Sequence, residues 1–316
     1  MTEKNAYIAI TICSIIIGFS FMFVKVTLKV ATPLDTLAHR FTIAWIVATG
    51  LWLFNKELIK ATKKDVLAIV FLAIFYPILF FTFQVFGLVY TTSSEAGIIQ
   101  AVIPIFTLIF SSLILKEKSN SPQKIAITLS VLGVIYIMYM KGMGDKHSNL
   151  LGSGFILLSA LSTSLYSVFN RKVIKRFSLF TNTYFIILFA FIAFNVLALT
   201  DHLLNGTVNE YYQPFHHIEF VFAILYLSIL SSLGTSYLTN YALSKLPAFQ
   251  VSVFGNVATL ITILAGIVFL NESFHYYHLI GSCFIIGGVF GVNYFGERNY
   301  QSGKENKEKN NSLEVE

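Results

Sequence analysis

Residues 87–135 read "GLVYTTSSEAGIIQAVIPIFTLIFSSLILKEKSNSPQKIAITLSVLGVI", and residues 242–290 read "ALSKLPAFQVSVFGNVATLITILAGIVFLNESFHYYHLIGSCFIIGGVF". Each holds a long run without Asp, Glu, Lys or Arg, ending on an acidic residue, Glu117 in one and Glu272 in the other. A helix of about 20 residues spans roughly 30 Å, the thickness of bilayer hydrocarbon. An offset of 155 aligns the two stretches, pairing Leu88 with Leu243, Leu113 with Val268, Glu117 with Glu272 and Gly133 with Gly288. The same order of events therefore occurs twice: a long apolar helix, an acidic end, a short charged loop and a Gly-rich final helix.

The same pattern continues outward from these stretches. Transmembrane helices are expected at about 6–28, 34–54, 66–87, 96–115, 124–141, 150–170, 179–200, 218–239, 248–270 and 275–296. The runs are too long for barrel strands and do not alternate, whereas helices satisfy their own backbone in hydrocarbon. Of the 316 residues, 55% are apolar and 12% charged, and mean hydropathy is +0.71, which leaves little room for a soluble catalytic domain. The first run lacks a cleavage site in the right place and reads as a span rather than a signal peptide. Cys13 and Cys283 both fall in apolar runs and read as buried thiols.

Lysine and arginine orient the spans. With the N-terminus inside, most of the 22 basic residues cluster in inside segments: Lys56–Lys64, Lys116–Lys124, Arg171–Arg176 and Arg298–Lys309, with Lys4 and Lys245. The outside holds Lys25, Lys29, Arg40, Lys141 and Lys146. The asymmetry follows the positive-inside rule and places both termini in the cytoplasm of a multi-pass cytoplasmic-membrane protein. Residues 1–145 then form a first five-helix repeat, 146–296 a second, and 297–316 a disordered cytoplasmic tail. The segment from Asp201 to Ile218 reads as an outer loop or cap. Five is odd, so the second unit enters the membrane from the opposite side. The fold class is an all-α integral membrane protein of ten transmembrane helices in two inverted repeats, the architecture behind alternating access in several transporters.

The chain resembles the EamA-type, ten-helix members of the drug/metabolite transporter superfamily. The likeness rests on "GFSFMFVKVTL" at 18–28, the run at 87–117, and "ALSKLPAFQVSVFGN" with "FLNES" and "GGVFGVNY" later. Pro104 stands thirteen residues before Glu117, as in the family pattern, whereas Thr259 replaces that proline before Glu272. The resemblance implies a central cavity formed by both halves. It also implies a secondary transporter of small metabolites, amino acids or related compounds, with export favoured. Efflux of drugs or amphipathic compounds, uncoupled facilitation and, last, a non-transporting membrane sensor or scaffold are the alternatives.

Polar side chains are costly in hydrocarbon unless they face protein or water. Candidates for the cavity are Tyr76, Phe80, Gln84, Gln100, Tyr166, Asn170, Thr235 and Asn256; the alternative for each is a packed helix–helix seam. Pro77 and Pro104 are candidate hinges or bends. Lys25, His39, Arg40 and Glu95 are candidates for the outer mouth or for coupling, whereas Glu117 and Glu272 read as caps near helix ends. No G-x-x-x-x-G-K-[ST] stretch occurs, and His216–His217 lack further metal-ligand spacing. No enzyme activity, metal or cofactor is expected. The expected partners are a small-molecule substrate, membrane lipids and a proton or exchanged solute, with no nucleic acid; monomer and dimer stay open.

Overall fold

The computed structural model describes residues 3–55, 63–115, 121–144, 150–173, 179–245, 248–291 and 294–295. Every regular element among them is helical. In chain order these are α1 (Glu3–Thr27), α2 (Pro33–Asn55), α3 (Lys63–Ala73), α4 (Phe80–Tyr90), α5 (Ser93–Gln100), α6 (Ile103–Leu115), α7 (Ser121–Gly144), α8 (Leu150–Val173), α9 (Leu179–Asn205), α10 (Ile218–Leu225), α11 (Thr235–Lys245) and α12 (Ala248–Leu270). A final helix, α13, covers Tyr276–Gly291. Among the described residues, eight helical spans are long and apolar enough to cross a membrane, and Val257–Leu270 and Tyr276–Gly291 are shorter apolar helices. The expected tail and the acid Glu117 lie outside the described residues.

The outside of the bundle is apolar. Phe54 is 89% exposed, Leu204 81% and Leu113 72%. A surface of that kind needs lipid or another apolar partner, not water. Inside, one core draws on most of the bundle: Phe21 and Val24, Leu37 and Phe41, Phe80 and Val85, Ile156, Phe194 and Leu227.

Three spans are interrupted, two of them beside a proline. Between α3 and α4 the chain takes a π-helical course over Ile74–Leu79, where Tyr76 is extended at φ −142° and ψ 118°. Pro77 follows it and has no N–H to donate to a helical ladder. Between α10 and α11 a second π segment covers Tyr226–Gly234. The third break, at Ala101–Val102, lies just before Pro104. Pro77 lies within, and Pro104 just after, irregular backbone. Extended Thr91 and Thr92 separate α4 from α5, and Thr92 Oγ1 caps α5 by accepting from Glu95 N (3.1 Å).

The packing has a regular plan. α1 lies against α12 and the α10–α11 span; α8 lies against the α5–α6 span and the α3–α4 span. α2 pairs with α9, and α5 with α12. α7 and α13 cross with numbering that rises on one and falls on the other. Ser130 Oγ donates to Ile285 O (2.8 Å), Gly133 lies against Gly281, and Gly288 against Ala126. This crossing depends on absent side chains, since a Cβ on Gly288 would stand 2.5 Å from Ala126 O.

The connection read from sequence as an outer loop is shorter than expected, because α9 continues to Asn205. Gly206, at φ 69°, turns the chain, and two 3-10 turns at Val208–Glu210 and Gln213–His216 follow. His202 Nε2 bonds Asp35 Oδ1 and its Nδ1 bonds Thr207 Oγ1, both at 2.8 Å. His39 Nε2 bonds Tyr211 O (2.8 Å), and the Tyr211 hydroxyl donates to Asn195 Oδ1 (3.1 Å). The segment is therefore strapped to α2 and α9. His216 is exposed and bonds Gln213 O (3.0 Å), and no group of metal-ligating side chains forms among the described residues.

Candidate functional site

The polar side chains that the bundle buries at its centre come from both π segments and the helices beside them. Tyr76, turned by its extended backbone, stacks near Phe80, Phe81 and Tyr166, with ring centroids 5.2, 5.4 and 5.0 Å away. Its hydroxyl reaches Ser236 on α11. One helical turn along α8 from Tyr166, Asn170 Nδ2 donates to the Tyr166 hydroxyl (3.2 Å), while Asn170 Oδ1 is buried and accepts no hydrogen bond. Tyr166 also faces Asn182 of α9, whose buried amide makes no hydrogen bond of normal length. Tyr76 and Tyr166 keep intermediate accessibility although protein surrounds them densely.

Arg40 joins this group from α2. It is 1% exposed. Its Nε donates to Ser232 Oγ (2.7 Å) and its Nη2 to Ser231 Oγ (3.1 Å), both on the second π segment. The guanidinium carbon lies 4.2 Å from the centre of the Phe81 ring and 5.8 Å from that of Phe41, and Tyr76 is within electrostatic range. A position near the outer surface was expected for Arg40. The structure instead carries it into the protein, because α2 packs against the second π segment and the long side chain follows. His39, its neighbour, instead bonds Tyr211 O in the segment after α9.

The other candidates divide between this group and packed seams. Phe80 and Gln84 are buried on α4, Phe80 against Tyr76. Thr235 Oγ1 donates to Ser231 O (2.6 Å) within its own turn of helix. Gln100 Nε2 donates to Ser159 Oγ (2.8 Å), a bond that ties α5 to α8. Asn256 lies on α12, but its side chain is outside the described ones. Lys25 Nζ donates to Leu88 O (2.8 Å), and Glu95, 2% exposed, accepts from Ser153 Oγ (2.6 Å). Glu272 caps α5 from the connection between α12 and α13: Ser93 N, Ser94 N and Ser94 Oγ all donate to its carboxylate, at 2.7, 2.9 and 2.7 Å.

Sequence reasoning missed Asn182, Ser231 and Ser236. The serines sit in or beside a π segment, where the wider turn shifts which residues share a face, so a 3.6-residue period misplaces them. A surface recess of about 550 Å³ near Lys4, Tyr7 and Thr11 on α1 shares no residue with the central group.

Comparisons with known proteins agree with this architecture. The chain is 51% identical over 291 residues to an uncharacterized transporter, YcxC, of Bacillus subtilis (strain 168), spanning 92% of this chain and 93% of the relative. It is 26% identical to a second, YetK, from the same organism (91% of this chain, 86% of the relative). It is 27% identical to an uncharacterized transporter of Archaeoglobus fulgidus (91% and 97%). A solved crystal structure 15% identical in sequence shares the fold, with a TM-score of 0.62 over 94% of this chain and 99% of that one. The model of the EamA-like transporter family matches twice, at residues 4–139 and 150–294. The chain is thus a multi-pass membrane protein that belongs to the EamA-like transporter family.

Proposed function

We propose that the chain is a secondary transporter of ten spans in two inverted five-helix units, moving small metabolites by alternating access. Amino acids or related compounds are the favoured cargo, and export from the cytoplasm the favoured direction. The observation that carries this reading is reciprocity. Exchanging each half for the other converts the α1–α12 contact into the contact of α8 with the α5–α6 span, and leaves the α2–α9 and α5–α12 pairs unchanged. The Gly133–Gly281 contact becomes the Gly288–Ala126 contact under the 155-residue offset, and the Ser130–Ile285 bond maps onto its own position. The two π segments, Ile74–Leu79 and Tyr226–Gly234, fall at corresponding places. The antiparallel α7–α13 crossing is what a two-fold axis in the membrane plane requires. Units related in that way can exchange conformations and so open a shared site to one side and then the other.

The shared site is the group around Tyr76, Tyr166, Asn170 and Arg40. Aromatic rings supply apolar contact and shape, and amides and the guanidinium orient polar ends of a solute. Pro77 and Pro104, beside interrupted backbone, are the proposed bending points. The aromatic content also favours a second reading, efflux of amphipathic compounds. The test is uptake and efflux by purified protein in proteoliposomes, with amino acids, amines and dyes as cargo, with and without a pH gradient. Saturable movement of one class above protein-free liposomes supports the reading. No movement of any class in either direction would remove it.

A further inference from the structure

We propose that Arg40 is the anchor of a site for one carboxylate group of the transported solute. The inference rests on the transport reading and adds to it the chemical class of the cargo. It starts from a charge that the protein leaves unmatched. Arg40 is the one lysine or arginine buried among the described residues. The nearby acid of its own helix, Asp35, is engaged by His202. Among the described residues, two serine hydroxyls accept from the guanidinium, the Phe81 and Phe41 rings lie beside it, and no carboxylate pairs with it. Two serine hydroxyls and the Phe81 ring offset part of the desolvation of the cation. They do not neutralise it, and an uncompensated buried charge is costly.

The geometry points the unmatched part at the aromatic group. Nε and Nη2 are held by Ser232 and Ser231, and the face of the guanidinium by Phe81. Nη1 is buried and makes no hydrogen bond to protein. It is therefore the donor left for an acceptor from outside the protein, in a fork whose plane the other contacts already fix. Tyr76 links Arg40 to Tyr166, whose hydroxyl accepts from Asn170 Nδ2 and faces the Asn182 amide; Asn170 Oδ1 and both polar atoms of Asn182 are buried without a hydrogen bond of normal length. A solute with a carboxylate at one end and an apolar or polar body would follow this line: its anion on Nη1, its body along the two tyrosines.

The backbone supports a built site rather than an accident of packing. Tyr76 and the Ser231–Ser232 pair come from the two π segments, one in each half. In an α-helix consecutive residues point well apart, and the wider π turn narrows that angle. Two adjacent serines can then reach one guanidinium. Irregular turns of this kind are costly in a membrane helix and concentrate at functional positions. The charge count sets the valence. One buried cation matches a monoanion; a phosphate-ester dianion would bring a second, unmatched charge into low dielectric.

The test compares isosteric pairs on the purified full chain: L-phenylalanine against L-phenylalaninamide, L-leucine against L-leucinamide, and phenylacetate against phenylacetamide, with phenyl phosphate as dianion. The readout is the ligand-induced rise in unfolding temperature, titrated to an apparent Kd. At least one acid is expected to bind at least about 10-fold more tightly than its amide, and Arg40→Gln is expected to erase that ratio. Arg40→Lys should keep the preference with weaker affinity. A purely structural arginine would lower the unfolding temperature of every sample and leave the acid-to-amide ratio alone, so the ratio decides. Should Arg40→Gln fail to fold, Ser231→Ala/Ser232→Ala keeps the charge but frees its fork, and acid binding should weaken while amide binding does not. The proposal falls if no acid binds, if amides bind as well as acids, if phenyl phosphate binds most tightly, or if the variants keep the wild-type ratio. Acid-selective, Arg40-dependent binding without movement in proteoliposomes would keep the site and remove the transport reading. Movement of amines or dyes with no acid preference would do the opposite.

Discussion

Removing the Glu272 carboxylate should unfasten the start of α5. The carboxylate accepts from Ser93 N (2.7 Å), Ser94 N (2.9 Å) and Ser94 Oγ (2.7 Å), and its negative charge faces the positive end of the helix. Ser93 is 0% and Ser94 1% exposed, so water does not replace the lost acceptor. In Glu272→Ala the two buried amides lose their partner, at about 1–3 kcal/mol each, while Ser94 Oγ can turn to Ile263 O, 3.4 Å away. Glu272 is itself partly exposed and well hydrated when released, which reduces the net effect to about 2–4 kcal/mol. Glu272→Gln keeps one acceptor oxygen and should lose about half. Hydrogen exchange read by mass spectrometry on a peptide covering Ser93–Gln100 should show faster exchange in both variants, more so in the alanine one, with a lower unfolding temperature. Unchanged exchange in that peptide, with melting within a degree of wild type, would refute the reasoning.

Other consequences follow from the same contacts. Gly288→Ala drives a Cβ to 2.5 Å from Ala126 O and should cost about 1–3 kcal/mol, read as a lower unfolding temperature, whereas Gly287→Ala, with nothing within 4 Å, should not. Asp35→Ala removes the acceptor of His202 Nε2, and hydrogen exchange across residues 206–217 should rise several-fold while the α7–α13 crossing stays protected. Burial, with Tyr212 and Asp35 nearby, pushes the Tyr211 phenol up to about 12. The folded state thus holds this proton more tightly than an unfolded tyrosine near 10. The stability of the 206–217 segment should therefore be intact below pH 10 and fall as pH rises towards about 12; Tyr211→Phe should flatten that fall. Gln100→Ala should lower stability by about 1 kcal/mol through loss of the Ser159 bond, and should leave binding of any solute at Arg40 unchanged.

Most of the fold was legible because hydrocarbon imposes length and polarity on every span. The charge-free run before Glu117 and its counterpart before Glu272 announced both helices and the duplication, and the family match falls on the same two halves. Glu272 was legible as a cap because an acid at a helix end has a helix start to meet. The site was read less well. Tyr76, Tyr166 and Asn170 come together, yet Gln100, equally polar, ties two helices. An amide looks the same in sequence whether it faces a seam or a solute. Arg40 was misplaced because sequence position gives the depth of a Cα, not the direction of a seven-atom side chain. The π segment that receives it has no sequence period of its own. Lys25 and Glu95 were read at the outer mouth; Glu95 lies buried beside Ser153 in the first turn of α5.

The most direct test of the central claim asks on which side of the membrane two corresponding positions lie. Ser121 and Tyr276 are related by the 155-residue offset, and both are exposed at the start of their helices, α7 and α13. In a Cys283→Ala background, Ser121→Cys and Tyr276→Cys are labelled in intact cells with a membrane-impermeant maleimide, before and after permeabilisation. Two inverted units predict that position 276 reacts from outside and position 121 only after permeabilisation. Labelling of both positions from the same side would contradict the inverted arrangement, and with it the shared site and its alternating exposure.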